Sequence, residues 1–207
     1  MILPRRKVWF IDVFGRILYR LMRFRFNKIK IPPFKPKEGH SVLLFCNHFS
    51  WWDGFFAGYL TYWHIKRNYY VMMQHDQLDT RKWIRWLGGF SINRSSREAI
   101  KSLQYAAQLL STPENLVTVF PQGALYSTQT KEIVVERGIE ILLKNIKGPC
   151  QIVYSCVLTD YFESLKPSLF YHLFDCGVVG ETSFEELTQK INTFHQQALK
   201  DQLEAHL

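Results

Sequence analysis

The sequence predicts an α/β fold in a single domain, with a largely parallel sheet flanked by helices and preceded by a basic amphipathic helix. Short apolar runs of strand length alternate with longer segments of helical period, which is typical of a parallel sheet. The 207 residues, 47% of them hydrophobic, are enough for one well-buried domain and few for two. In such sheets ligands bind outside the carboxyl ends of the strands, so polar residues that follow a strand are candidates for a site.

The first predicted helix covers residues 8–24. At about 100° per residue, Asp12, Arg16, Arg20 and Arg23 fall in one wedge, and apolar side chains occupy the rest of the circumference. No uninterrupted apolar run approaches the roughly 18 residues that a spanning helix needs. The charges also interrupt the apolar core of a signal peptide, and no small-residue cleavage site follows.

Two interpretations of this helix remain open. It either lies in a membrane interface or packs on the domain with its arginines in water. In the first case residues 1–30 place the protein peripherally on the cytoplasmic face of a membrane, with charged side chains on anionic headgroups and apolar ones at the acyl boundary. The side chains expected to bind the membrane are Arg16, Arg20, Arg23, Phe10, Phe14 and Leu18.

The net charge of +8 comes from the N-terminal segment. Residues 1–30 contain nine Lys and Arg against one acid, whereas residues 31–207 contain seventeen of each sign. A protein that binds nucleic acid would more naturally spread basic residues over its fold, so we expect no nucleic-acid partner.

The remaining elements follow in order. Residues 31–39 are a proline-rich connector, because Pro32, Pro33 and Pro36 exclude a helix, and the main domain covers residues 40–207. Predicted strands cover residues 41–45, 69–73, 90–93, 116–120, 151–158 and 168–177. Predicted helices cover residues 55–64, 79–87, 96–110, 131–144 and 183–203. Gly88 and Gly89 end the second of these helices, and a capping box of Ser183 and Glu186 begins the last.

The four cysteines are Cys46, Cys150, Cys156 and Cys176, without CxxC pairing or zinc-finger spacing. They resemble buried thiols of a reducing compartment. Cys46 lies two residues before His48 and could act as a nucleophile, but we expect it to pack at the end of a core strand.

The stretch CNHFSWWDG, residues 46–54, follows the first strand of the domain and leads into a helix. His48 could act as a general base, because a neutral imidazole takes a proton from a hydroxyl when a carboxylate such as Asp53 fixes its tautomer. The structural alternative is a helix capping box, in which Asp53 follows Ser50 and holds backbone amides. The aromatic side chains that follow the motif either line an apolar tunnel for a substrate or pack in the core.

Two further blocks follow at strand ends, GGFSINR at residues 88–94 and FPQG at residues 120–123. With His48 and Asp53, in this order, the chain resembles the glycerolipid acyltransferase family, whose pattern is NHxxxxD, a GxxFIxR-like block and FPEGTRS. The resemblance covers roughly residues 40–160. It implies that Arg94, with its neighbour Asn93, binds the phosphate of the acceptor. It also implies that Gln122 and Gly123 contact the substrate.

The chain departs from this pattern in three places. Ser91 stands where the family usually has Phe, Gln122 replaces Glu, and Ala124-Leu125-Tyr126 replaces Thr-Arg-Ser. A weaker Pro-containing block is also eroded, because residues 152–155 lack the proline. Glutamine still accepts a hydrogen bond but has no charge, so the acceptor pocket is expected to be less ionic than in lysophosphatidate enzymes.

The resemblance implies an O-acyltransferase of phospholipid biosynthesis. It would move a fatty acyl group from acyl-CoA or acyl carrier protein to a lipid hydroxyl, most simply that of 1-acyl-glycerol-3-phosphate. No metal or other cofactor is expected, because a thioester is already activated. Two alternatives stay open: a non-phosphate acceptor such as a glycolipid or carotenoid glycoside, and a membrane-bound lipid-binding protein without turnover. The sequence does not indicate an oligomeric state.

Overall fold

A seven-stranded sheet organises the part of the chain that the computed structural model describes, residues 1–93 and 97–205. Its strands are β1 (Ile29–Lys30), β2 (Ser41–Cys46), β3 (Asn68–Gln74), β4 (Gly89–Ile92), β5 (Asn115–Val119), β6 (Cys150–Asp160) and β7 (Ser168–Val178). They are arranged in the order β1-β7-β6-β2-β5-β3-β4. Only β6 and β7 pair in antiparallel fashion. The predicted fold class is therefore confirmed.

Helices cover both faces of the sheet. They are α1 (Val8–Arg25), α2 (Asp53–Leu60), α3 (His75–Thr80), α4 (Glu98–Leu109), α5 (Gly138–Asn145) and α6 (Phe184–Leu203), with a π-helical turn at Thr61–Ile65 and a 3₁₀ turn at Lys82–Trp86. Successive side chains of a strand point to opposite faces. Leu43 and Phe45 of β2 accordingly join the core under α4, α5 and α6. Val42 and Leu44 join the core under α1 and α2. Central strand β2 is therefore buried along its whole length.

The structure differs from the predicted elements in two helices. The helix predicted at residues 131–144 begins only at Gly138. The preceding residues run extended with alternating burial, so that Ile133 and Val135 enter the core between exposed neighbours. The helix predicted at residues 79–87 is divided at Arg81, whose φ of −126° and ψ of 54° are not helical. The predicted capping box of Ser183 and Glu186 is present.

The N-terminal segment is part of the folded domain. Gly15, Leu18 and Met22 are the buried residues of α1, and they pack beside α2. Ile29 and Lys30 pair with β7, so the sheet begins before the predicted boundary at residue 40. The predicted division into a membrane-binding segment, a connector and a main domain, with boundaries after residues 30 and 39, stays a prediction. The sheet itself contains strands from both sides of these boundaries.

Three side chains predicted to bind a membrane are used in packing. Leu18 is 4% exposed and belongs to the core. Phe14 contacts Phe55 and Trp83, and Phe10 contacts Trp86, with ring centroids 5.1–6.0 Å apart. Helical periodicity cannot show which part of a wide apolar face meets the protein. For this reason side chains that pack on the domain were expected to contact lipid.

A different set of apolar side chains on α1 is exposed. We call it the α1 stripe, and it consists of Val8, Trp9, Val13, Ile17 and Phe24. Arg16, Arg20 and Arg23 are exposed as well, next to this stripe on the helix. One face of the helix therefore packs on the domain, and the membrane contact of its exposed face stays a prediction. No helix within residues 1–93 and 97–205 combines the length and apolar character needed to cross a bilayer.

Candidate active site

The site begins where the chain leaves the sheet at Asn47. Strand β2 ends at Cys46, whereas its neighbour β6 continues to Asp160. The carboxamide of Asn47 takes the place of a further strand residue: Nδ2 donates to the carbonyl of Val157 at 2.9 Å, and Oδ1 accepts from its amide at 2.8 Å. The ladder is thereby satisfied while the backbone turns away, and His48 is held at the carboxyl end of a buried central strand.

His48 and Asp53 are in direct contact. Nδ1 of His48 lies 2.7 Å from Oδ2 of Asp53, and this carboxylate is 3% exposed. The same oxygen accepts from the amides of Phe49 and Ser50, each at 2.8 Å. Asp53 is the first residue of α2, where the helix dipole favours a negative charge. Asp53 therefore holds the amides of Phe49 and Ser50 and also contacts His48. The predicted capping box is incomplete, because the hydroxyl of Ser50 accepts from the amide of Trp52 and not from that of Asp53.

The imidazole of His48 has one nitrogen left for chemistry. Nδ1 faces Asp53, so Nε2 is the atom that can take a proton. The ring stacks on Phe120 with centroids 4.3 Å apart, and the side chain is 25% exposed. Orientation by a buried carboxylate, a packed ring face and access to a cavity are what a general base requires. The catalytic role of the pair stays a prediction.

Gln122 positions His48 from the loop that follows β5. Its Oε1 accepts from the backbone amide of His48 at 3.0 Å, and the residue is only 2% exposed. The amide of Tyr126 donates to the carbonyl of His48 at 2.8 Å, so the same loop holds both backbone groups of the base. Gln122 therefore contacts the backbone of the base, and its contact with the substrate stays a prediction.

A cavity of about 700 Å³ opens beside His48. Its volume lies in the range of small-molecule sites. Most of its lining is apolar or aromatic and comes from α1, α2, the π-helical turn, β3 and the loop after β5. The aromatic residues after the motif divide between the two predicted roles. Trp51, Phe55, Tyr59, Tyr62 and Trp63 line the cavity, whereas Trp52 and Phe56 pack against Phe26.

The polar part of the lining is small. Among the described residues it includes His48, Gln74, Gln77 and Glu136, and no Lys or Arg. Gly123 also lines the cavity, at a φ of +62°. Arg94 lies outside the described residues, so its phosphate-binding role stays a prediction, as do those of Asn93 and Gly123. No three His, Cys, Asp or Glu side chains in the described ranges converge as metal ligands would.

Ser91, which departs from the family pattern, has a structural role. Its hydroxyl accepts from the amide of Ile2 at 2.7 Å, and its own amide donates to the carbonyl of Ile2 at 3.0 Å. The N-terminal residues therefore cover the edge of β4, and a phenylalanine could not make the first of these bonds. Edge strands covered in this way are protected from pairing with other chains.

Cys46 does not have the properties of a nucleophile. The side chain is 4% exposed, and burial, followed by the nearby charge of Asp53, raises the pKa of its thiol well above its ordinary value. A thiol that stays protonated is inert, so Cys46 serves in packing. The other three cysteines are also buried and free.

Three contributors to this site were not predicted from the sequence. Asn47 holds the strand end, Phe120 supports the imidazole, and α1 supplies Ile11, Phe14 and Gly15 to the cavity wall. A signal existed for Asn47, since a polar amide directly after a buried strand needs backbone partners. The other two depend on contacts between distant segments.

The chain resembles known acyltransferases in sequence and in fold. The acyltransferase family model matches residues 26–162. A 1-acyl-sn-glycerol-3-phosphate acyltransferase of Streptococcus pneumoniae is 26% identical over 100 residues, which are 46% of this chain and 36% of the relative. The aligned part thus spans about a third of the length of that relative. The crystal structure of the 1-acyl-sn-glycerophosphate acyltransferase PlsC from Thermotoga maritima matches with a TM-score of 0.62 at 16% identity. This match covers 95% of this chain and 80% of that one, and it shows the shared fold.

Proposed function

Because the chain belongs to the acyltransferase family, we propose that it transfers a fatty acyl group from acyl-CoA or acyl carrier protein to the hydroxyl of a lysophospholipid. The observation that carries this proposal is the buried contact between His48 and Asp53 at the side of an apolar cavity. The likeness to two 1-acyl-glycerol-3-phosphate acyltransferases favours that lipid as the acceptor.

In the proposed reaction Nε2 of His48 takes the proton of the acceptor hydroxyl while the hydroxyl oxygen attacks the thioester carbonyl. A carbon–oxygen bond forms and the carbon–sulfur bond breaks. The proton then passes from the imidazolium to the departing thiolate, so an ester and a free thiol leave. Asp53 stabilises the imidazolium, and Asn47 and Gln122 hold the backbone of the base in place. Binding both substrates in one site removes the entropic cost of their encounter.

We assign the apolar cavity to a fatty acyl chain. Aromatic and aliphatic side chains from α1 and α2 form its wall, and burying methylene groups against them is favourable by about 0.8 kcal/mol each. His48 lines the same cavity, so a chain bound there can carry its thioester or its hydroxyl to the base. The contribution of α1 to this wall links the cavity to the helix that we propose to lie on the membrane.

We propose that the protein acts peripherally at the cytoplasmic face of a membrane. The α1 stripe offers exposed apolar side chains, and Arg16, Arg20 and Arg23 stand next to it to meet anionic headgroups. A lysophospholipid and its acylated product both reside in a bilayer, so this placement shortens the path of the acceptor to the cavity.

The experiment that tests the function is mass spectrometry of lipid extracts incubated with the protein and an isotopically labelled acyl thioester. We expect one labelled phospholipid from the wild type, and a loss of about 10² to 10⁴ in rate for His48→Ala. His40→Ala is the matched control, because His40 precedes the opposite end of β2. If His48→Ala keeps activity within tenfold of the wild type, His48 is not the base. Binding of the thioester without any labelled lipid would indicate a binding protein.

A second candidate acceptor is a hydroxyl lipid without phosphate, such as a glycolipid or carotenoid glycoside. Gln122 is uncharged where the family has Glu, and the described cavity lining contains no Lys or Arg. Competition assays separate the two. If Arg94 binds phosphate, 1-acyl-glycerol-3-phosphate competes and Arg94→Ala weakens this competition. If a neutral acceptor is used, phosphate-bearing lysolipids compete poorly and Arg94→Ala has little effect.

A further inference from the structure

We propose that the loop between β6 and β7, residues 161–167, is a second membrane-contacting element, which enters an anionic bilayer together with α1. The inference rests on the proposed membrane association and extends it to a part of the chain far from α1 in sequence. We call these residues the β6–β7 loop; their sequence is YFESLKP.

The loop exposes apolar side chains where a turn normally has polar ones. Leu165 is 100% exposed, Tyr161 60% and Phe162 40%. The amide of Ser164 donates to the carbonyl of Tyr161 at 3.0 Å, and Phe162 adopts a φ of +48°, which is unfavourable for a bulky residue. Gly, Asn or Asp would suit this turn better. Phe162 packs partly on Phe170, with ring centroids 5.9 Å apart. Folding does not account for a fully exposed leucine at position 165, whereas contact with lipid does.

The loop lies beside the C-terminal end of α1. The ammonium of Lys166 is 4.7 Å from the ring centroid of Phe24, which belongs to the α1 stripe. The amide of Asn27 donates to the carbonyl of Pro167 at 2.9 Å, and β1 pairs with the start of β7. The exposed apolar side chains of the loop and of α1 are therefore neighbours on one surface, although they are some 140 residues apart in sequence.

The charge of this region identifies the occupant as an anionic bilayer. Exposed basic side chains occur on both segments: Arg23, Arg25, Lys28 and Lys30 on the N-terminal segment and Lys166 on the loop. Glu163 is the single acid among residues 161–167. Apolar side chains flanked by Lys and Arg are typical of surfaces that bind anionic lipid.

The position of the loop also suits the proposed reaction. Strand β6 runs parallel to β2, so its carboxyl end lies at the same edge of the sheet as His48. A domain bound to the bilayer through α1 alone could rotate about the axis of that helix. Contact through both α1 and the loop would fix the tilt of the domain. We expect this second contact to hold the site edge of the sheet toward the lipid.

The test uses a fluorophore placed on the loop. All four native cysteines are buried, so a maleimide derivative of the environment-sensitive dye NBD labels an added surface cysteine selectively. Three full-length variants are compared: Leu165→Cys on the loop, Ile17→Cys on the α1 stripe and Lys147→Cys at the opposite edge of the sheet, where Lys147 is exposed. Each is mixed with phosphatidylglycerol vesicles and with phosphatidylcholine vesicles, and then challenged with aqueous iodide.

We expect phosphatidylglycerol vesicles to shift the emission of NBD at positions 165 and 17 to the blue and to protect both from iodide, with no change at position 147. A shift at 17 without one at 165 overturns the inference and leaves the proposed membrane association intact. No shift at either position overturns both. A blue shift at 165 that needs no vesicles and grows with protein concentration indicates a second copy of the chain on this surface, and also overturns the inference.

A complementary variant measures the contribution of one side chain. Leu165→Ser should weaken binding to phosphatidylglycerol vesicles by roughly tenfold. The free energy of moving an exposed leucine side chain from water into an apolar phase corresponds to about this change in affinity. Glu163→Gln, in the same loop, should bind equally well or better. Unchanged melting temperatures establish that both variants are folded, and equal affinity of Leu165→Ser and wild type contradicts the inference.

Discussion

Replacement of Asn47 by alanine tests how the strand end holds the catalytic base. The carboxamide makes two hydrogen bonds to the backbone of Val157, which is itself 4% exposed. Alanine removes both and leaves an amide and a carbonyl of a core strand without partners. Each such group costs about 1–3 kcal/mol, so Asn47→Ala should lower the free energy of unfolding by about 2–6 kcal/mol. Water that enters from the neighbouring cavity would move the loss toward the lower value.

The assay is urea denaturation followed by circular dichroism. The midpoint should fall with no change in the slope, because the folded state buries the same surface. Asn145→Ala is the matched control, since Asn145 is exposed at the end of α5 and bonds only locally to the carbonyl of Ile141. We expect this control to change stability by less than about 0.5 kcal/mol.

Asn47→Asp separates the two hydrogen bonds. A carboxylate can accept from the amide of Val157 but cannot donate to its carbonyl, and burial of the charge adds a penalty. This variant should therefore be at least as unstable as Asn47→Ala at neutral pH, and should recover partly as acid protonates the carboxylate. A loss below about 1 kcal/mol for Asn47→Ala would refute the reasoning, because it would mean that the ladder does not need the side chain.

Three further predictions concern single residues. Asp53→Asn should stay folded, because the amide oxygen can still accept from the amides of Phe49 and Ser50. Its initial rate of acyl transfer should fall by up to about 10⁴, because the imidazolium of His48 is then neither oriented nor stabilised. Activity near that of the wild type would leave Asp53 only the role of holding these amides. Gly88→Ala should cost at least about 3 kcal/mol in urea denaturation, because its Cβ would lie 2.2 Å from the carbonyl oxygen of Tyr69. Gly148→Ala, with a similar φ and no atom within 4 Å, should cost about 1–2 kcal/mol and measures the backbone strain alone; equal losses would exclude the clash. Burial lowers the pKa of His195, so as pH falls below about 6.5 the unfolded chain takes up a proton that the folded one resists, and stability declines. Between pH 7 and pH 5 the urea midpoint should therefore fall less for His195→Gln than for wild type. An equal fall of the midpoint in both proteins would mean that His195 does not cause this loss of stability.

The elements that could be predicted from the sequence are those with strong local signals. The alternation of apolar runs and helical segments indicated the mostly parallel sheet, and Ser183 with Glu186 indicated the start of α6. The spacing of His48 and Asp53 could be interpreted because a strand end and a helix start lie within a few residues of each other. These signals are local because one turn or one strand end needs only the residues beside it.

Two other features could not be predicted from the sequence, and each has its own physical reason. Residues 131–137 have the apolar content of a helix but run extended, because Asn192 of α6 hydrogen-bonds the backbone of Ile133 on both sides, at 2.7 and 3.1 Å. Gln122 has the sequence position of a substrate ligand, but its hydrogen bond to the backbone amide of His48 could not be foreseen from that position. In both cases the deciding partner lies more than 50 residues away.

By itself, the sequence determined the class of fold, the order of the motif blocks and the pair of side chains that can move a proton, because each follows from the chemistry and spacing of neighbouring residues. Only the tertiary structure decided which face of α1 is buried, which side chains line the cavity and what holds the base in place. Those outcomes depend on how segments remote in sequence divide one apolar surface between them. Leu18 in the core and Ile17 exposed beside it are chemically alike and adjacent in the chain, and only the packing of α1 on the domain distinguishes them.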